Sequence, residues 1–153
     1  MKKKLIQKNR FVFDKQIDFN LISHLLNVSE YDSSHSGNWY EPKVLNSVFQ
    51  IKKVQGFDFI HSIYLNLESK FNLKKQRSDI DVFFSFQSGT RSIIHKDNYD
   101  VWIVGLLGKT LYKIENQEFI VCPGDLLHIP KNHLHLAIGI DPRIVLSYGI
   151  YNQ

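Results

Sequence analysis

A histidine and an aspartate two residues apart, His95 and Asp97, and a further histidine, His135, form the most suggestive chemical set in the chain. In a β-strand, side chains two apart point to the same face. His95 and Asp97 would therefore offer an imidazole and a carboxylate to one point, and His135, from a later strand, would add a second imidazole. Two histidines and one carboxylate leave three positions of an octahedral metal open. Non-haem Fe(II) oxygenases need that arrangement, because they bind O₂ together with a substrate or cosubstrate. His-x-Asp alone is weak in a chain with 7 His, but the sequence ahead of His135 sharpens it. Pro123-Gly124-Asp125 reads as a tight turn and Leu126 to Ile129 as a strand. Pro130-Lys131-Asn132 reads as a second turn, where Asn tolerates positive φ. His133 shares the expected face of His135 and is the ligand instead if the register differs. His128 reads as structural or substrate-facing, while His24, His35 and His61 lie outside the motif region. Acyl transfer by a Ser/His/Asp set has no support, since no Gly-x-Ser-x-Gly elbow is present.

The elements that must position this set follow from punctuation and periodicity. From residue 80 onward, strand-like runs alternate with turns. They are Ile80–Phe86, Ser92–Asp97, Val101–Leu107, Thr110–Ile114, Gln117–Val121, Leu126–Ile129, His133–Ile138 and Ile144–Tyr151. Short strands at such spacing predict a mainly β sandwich or barrel. The first half is mixed. Asp18 caps a predicted helix carrying Phe19, Leu21, Ile22, Leu25 and Leu26. Asp58 caps a second, with Ile60, Ile63, Tyr64, Leu67 and Phe71 on one face. Tyr31–Gly37 reads as a loop and Leu45–Val54 as a strand. Trp102 is expected on the outer face, and Tyr148 and Tyr151 either line the barrel mouth or pack.

The 153 residues predict one domain, with 1–79 supplying N-terminal helices and flanking strands and 80–153 the barrel core. A single cysteine, Cys122, rules out an intramolecular disulfide and a Cys-rich zinc site. The basic start is not followed by a signal-peptide apolar stretch, and no apolar run approaches the ~18 residues of a membrane span. These features point to a soluble, cytoplasmic protein. The net charge of +4 gathers partly in Lys2, Lys3, Lys4, Lys8, Arg10, Lys74, Lys75 and Arg77. A solvated tail and helix end explain it better than a nucleic-acid patch, for which no accompanying motif exists.

Gly124-Asp125, then Pro130, then His135 resembles the second motif of the cupin superfamily. The stretch HKDNYDVWIVGLLGKTLYKI resembles the Jumonji-C and ribosomal-oxygenase branch over roughly residues 82–151. The resemblance implies a double-stranded β-helix (a cupin or jelly-roll barrel) with one or two N-terminal helices. It also implies Fe(II) held by His95, Asp97 and His135, with 2-oxoglutarate as cosubstrate of a hydroxylation. Ser92 matches a hydroxyl position used for 2-oxoglutarate. The usual lysine for the 2-oxoglutarate C5 carboxylate is replaced by Thr110, with Lys109 one residue earlier. A one-residue shift moves a side chain to the opposite face of a sheet. Either a bulge brings Lys109 inward or the carboxylate has another partner. Arg143, Lys113, Tyr64, and the hydroxyls of Ser92, Thr110 and Tyr112 are the candidates, with Arg143 favoured because a guanidinium forks onto a carboxylate. Asn132 stands where the family often has Gly. A metal cupin with another reaction, such as a cofactor-independent dioxygenase or isomerase, or a cupin binding module, is the alternative. The resemblance also makes a homodimer an expectation. The substrate, a small molecule or a peptide, is left open.

Overall fold

The computed structural model describes residues 5–28, 45–71 and 77–151. Among these residues, nine strands and two helices are defined: β1 (Ile6–Gln7), α1 (Asn20–Val28), β2 (Phe49–Ile51), α2 (Asp58–Phe71), β3 (Arg77–Ser85), β4 (Asp100–Leu107), β5 (Thr110–Ile114), β6 (Gln117–Val121), β7 (Leu126–Ile129), β8 (His135–Gly139) and β9 (Arg143–Tyr151). All pairings are antiparallel. A six-stranded sheet runs β1-β7-β4-β9-β3-β2, and a three-stranded sheet runs β6-β5-β8. The two sheets are the walls of a double-stranded β-helix, the mainly β architecture that the sequence predicts.

The central strands read as continuous apolar runs because each of their faces meets a different core. Along β4, Trp102, Val104 and Leu106 face the helices, while Val101 and Ile103 face the barrel interior. The same alternation sends Ile80, Val82 and Phe84 of β3, and Ile144, Leu146 and Tyr148 of β9, outward onto Ile22, Leu25, Ile60, Ile63 and Leu67 of α1 and α2. The opposite faces of β3 and β9 carry polar side chains inward: Asp79 and Asp81, then Arg143, Ser147 and Tyr151. A two-residue period thus places apolar surface against the helices and functional groups in the barrel. Asp18 Oδ1 accepts from the Asn20 N–H at 2.8 Å and caps α1 as expected. Among the described residues, no helix is long and apolar enough to cross a membrane.

Three expectations need correction. Ser92–Asp97 forms no continuous ladder; it meets β8 at one isolated bridge, His95 to His135, and through Ser92, which exchanges hydrogen bonds with Ala137, while Arg91 just before it bridges to Ile138. Leu45–Val54 contracts to β2: residues 45 and 46 form a 3₁₀ turn before it, and Lys53, at a positive φ of 57°, ends the extended run after it. The basic N-terminus is not only a tail: β1 pairs with β7, and Asp125 binds the segment behind it. There the Gly124 backbone, at φ 87°, passes so close to the Phe11 carbonyl that a Cβ would strike it at 2.5 Å. The predicted loop at 31–37, and Lys2–Lys4, Lys74 and Lys75, lie outside the described residues.

Candidate metal centre

One end of the barrel brings His95, Asp97 and His135 together, with one ligand atom from each within 4.8 Å of the others. The backbone explains why. His95 and His135 face each other across an isolated bridge, exchanging N–H···O bonds of 3.1 and 2.9 Å. Asp97 is fixed by the turn before β8: the Asn132 N–H donates to the Asp97 carbonyl at 2.6 Å, with Asn132 at φ 62°. That left-handed conformation is one Asn adopts at little cost.

Hydrogen bonds set the tautomers. A carbonyl only accepts, so Nδ1 of His95, 2.9 Å from the Ile93 carbonyl, carries the proton, as does Nδ1 of His135, 3.0 Å from the His133 carbonyl. Each Nε2 lone pair is then free for a metal. His135 Nε2 lies 3.6 Å from Asp97 Oδ2. Burial pushes the His135 pKa below its usual value and the neighbouring His95 adds to the shift, against its bond to the His133 carbonyl and the Asp97 charge. Both effects favour the neutral imidazole that a metal requires. Two free imidazole nitrogens and a carboxylate on one side of a cavity make a donor set suited to a divalent metal such as Fe(II). His133 is exposed and binds the Lys131 carbonyl, away from this cluster.

The cluster opens into a cavity of about 150 Å³ inside the barrel. Ser92, Tyr112 and Arg143 line it, together with Asp79 and Asp81 on the β3 wall and Tyr99 and Tyr151 beside them. Arg143 is only 2% exposed. Its Nε donates a long 3.4 Å hydrogen bond to Ser85 Oγ, and no carboxylate of the described residues pairs with it. Burial lowers its pKa, partly offset by Tyr112, whose own hydroxyl burial pushes up to about 12. A buried cation facing a cavity without an acid partner is an expensive arrangement unless an anion arrives from outside. The residues therefore fit a carboxylate-bearing cosubstrate as well as a metal.

The other candidates divide between the cavity and other surfaces. Lys109 is exposed at the turn before β5 and lines no part of the cavity; strand alternation turns Thr110 inward instead, fully buried with an unpartnered Oγ1. Lys113 lies on the outer face of β5, paired with Glu118 at 2.7 Å. Tyr64 sits on α2 behind the large sheet, bound to Glu68 and Ser78. Ser92 Oγ accepts from the Ala137 N–H at 2.9 Å and still faces the cavity. Trp102 packs on the outer face against His128, which contacts Asp100 at 2.8 Å. Of the two tyrosines, Tyr151 lines the cavity and Tyr148 packs under the helices. Sequence reasoning missed Asp79, Asp81 and Tyr99; the Asp79-x-Asp81 alternation in β3 was the available signal. Burial raises the pKa of Asp81 despite bonds from the Lys53 N–H and Gln50, and burial also raises that of Tyr99.

Fold and site together define a double-stranded β-helix barrel with a possible metal centre at one end. No family model matches the sequence, and no curated protein matches it. Among solved structures, the chain is similar to the ribosomal oxygenase YcfD of Escherichia coli, with a TM-score of 0.78 and 18% identity over 97% of this chain and 48% of YcfD. It therefore spans about half of that protein's length. YcfD in complex with cobalt and 2-oxoglutarate matches with a TM-score of 0.73 at 20% identity, over the same shares. KdgF of Halomonas sp. matches with a TM-score of 0.52 at 13% identity, over 81% of this chain and 91% of KdgF.

Proposed function

We propose that this chain is an Fe(II)/2-oxoglutarate-dependent oxygenase that hydroxylates a substrate at the His95–Asp97–His135 centre. The observation that carries this reading is Arg143: a buried guanidinium without an acid partner among the described residues, facing the same cavity as the triad. His95 and His135 present neutral Nε2 atoms, and Asp97 supplies the one negative charge. Arg143 would hold the C5 carboxylate of 2-oxoglutarate, and Tyr112 and Ser92 line the same cavity. A metal and cosubstrate bound there would supply the oxidising power. The barrel supplies orientation and excludes water. YcfD, bound to cobalt and 2-oxoglutarate, supports the pairing of these two groups in this fold.

Asp79 and Asp81, on the wall opposite, favour a substrate group that is cationic over one that carries phosphate. That preference runs against the nucleic-acid reading of the basic surface. The second reading is a metal cupin with another reaction, such as a cofactor-independent dioxygenase or an isomerase; the similarity to KdgF, over 91% of that chain, keeps it in view. Incubation with Fe(II), 2-oxoglutarate and air separates the two: succinate accumulates in the wild type and not in Asp97→Ala. No succinate above the Asp97→Ala background would reject the oxygenase reading.

A further inference from the structure

Glu115 acts on the metal centre without touching it. It stands exposed in the turn between β5 and β6, at a φ of 49°, which is uncommon for a residue other than glycine. Two hydrogen bonds hold it there, both to Leu134, the residue between His133 and His135. The Glu115 N–H donates to the Leu134 carbonyl at 2.9 Å, and Glu115 Oε1 accepts from the Leu134 N–H at 2.8 Å. The Leu134 N–H and the His133 carbonyl belong to one planar peptide group. That carbonyl accepts from His135 Nδ1 at 3.0 Å. A line of hydrogen bonds therefore runs from the Glu115 carboxylate, through a single peptide group, to the imidazole of His135.

We propose that Glu115 is a positioning residue for the metal centre: through the His133–Leu134 peptide it holds the His135 imidazole in the orientation and tautomer that leave Nε2 free for a metal. This rests on the metal-binding reading of the triad and not on the use of 2-oxoglutarate. The one proton of a neutral imidazole has two claimants here. Asp97 Oδ2, 3.6 Å from Nε2, draws it toward the metal side, and the His133 carbonyl draws it away. Linked hydrogen bonds polarise one another, so a carboxylate at the N–H end of a peptide makes the carbonyl at its other end a stronger acceptor. The same bond fixes the peptide plane, and with it the direction in which the carbonyl points. His95 is a built-in control, because its Nδ1 bonds to the Ile93 carbonyl, outside this line.

Two measurements test it. Nitrogen-15 spectra of the metal-free chain at a pH of about 8.5, where both imidazoles are neutral, read the tautomer of each histidine. Cobalt titration reads the metal affinity. Glu115→Ala, folded by far-UV circular dichroism, should move His135 toward the Nε2–H form, leave His95 unchanged and lower cobalt affinity about tenfold, the lower end for losing a group that supports a metal-bound histidine. Glu115→Gln, which keeps an acceptor oxygen, should recover most of both. A wild type that binds no cobalt would overturn the metal centre and this inference with it. A wild type that binds cobalt, beside a Glu115→Ala chain that keeps either the wild-type tautomer or the wild-type affinity, would overturn the inference alone and leave Glu115 a staple between the β5–β6 turn and β8. A shift at His95 as large as that at His135 would overturn it too, since the whole site would then have loosened.

Discussion

Replacing Arg143 with methionine separates function from stability more sharply than any other change in this molecule. Arg143 is 2% exposed, makes one 3.4 Å side-chain hydrogen bond to Ser85 and has no carboxylate partner among the described residues. Its desolvation is therefore poorly compensated in the ligand-free barrel. Exchange of a buried, poorly paired charge for an apolar side chain of similar volume is commonly neutral or stabilising. Arg143→Met should thus melt at or above the wild-type temperature. The same change removes the cation facing the C5 carboxylate of 2-oxoglutarate, and truncating one side of a buried charge pair costs about 2–5 kcal/mol. At about 1.4 kcal/mol per tenfold, that is a loss of affinity from roughly thirty-fold to several thousand-fold. Calorimetric titration of 2-oxoglutarate into the cobalt-loaded variant reads the affinity, and a melt without cosubstrate reads the stability. Lys109→Ala, at an exposed position, should change neither. Wild-type affinity in Arg143→Met, or a large fall in its melting temperature, would refute the reasoning.

Three further outcomes follow from the same geometry. His95→Ala, Asp97→Ala and His135→Ala should each lower metal affinity sharply in a folded protein, whereas the exposed His133→Ala should not; cobalt titration ranks them. Asn132→Gly should keep the φ of 62° and the clip on Asp97, while Asn132→Val, which resists that φ, should lose metal affinity before it loses the fold. For Asp125, burial favours the neutral acid, but hydrogen bonds from Lys8, the Cys122 N–H and the Asn9 N–H outweigh it and hold the pKa below the carboxylate norm. A depressed folded pKa gives stability that is present above the unfolded value of about 4 and lost as pH falls below it. Acid melts of wild type against Asp125→Asn should converge there, after a difference of about 2–3 kcal/mol near neutrality.

How much of this was legible in the sequence depended on local punctuation. Thr110–Ile114, Gln117–Val121 and Leu126–Ile129 match their strands residue for residue, because Gly108, Pro123-Gly124 and Pro130 mark their ends. Alternation also distinguished the two faces of β5, so Thr110 points inward and Lys109 does not. Ser92–Asp97 misled because Ile93 and Ile94 have strand propensity, while their side chains stand in the open and only the flanking residues bridge to β8. Propensity describes a residue's preference and not the presence of a neighbouring strand. β1 was hidden for a different reason: what holds it is Asp125 and the backbone of β7, more than a hundred residues away along the chain. Tyr64 was a reasonable hydroxyl by type, but its helix packs on the far side of the large sheet.

The central claim is that one cavity holds a metal through His95, Asp97 and His135 and a 2-oxo dicarboxylate through Arg143. Anaerobic titration of 2-oxoglutarate into the Fe(II)-loaded chain tests it most directly, since a 2-oxo acid chelated to Fe(II) gives a visible charge-transfer absorption. The account predicts a band that saturates at one equivalent per chain, disappears in Asp97→Ala and needs far more ligand in Arg143→Met. An Fe(II)-loaded chain that shows no band and no bound 2-oxoglutarate would contradict it.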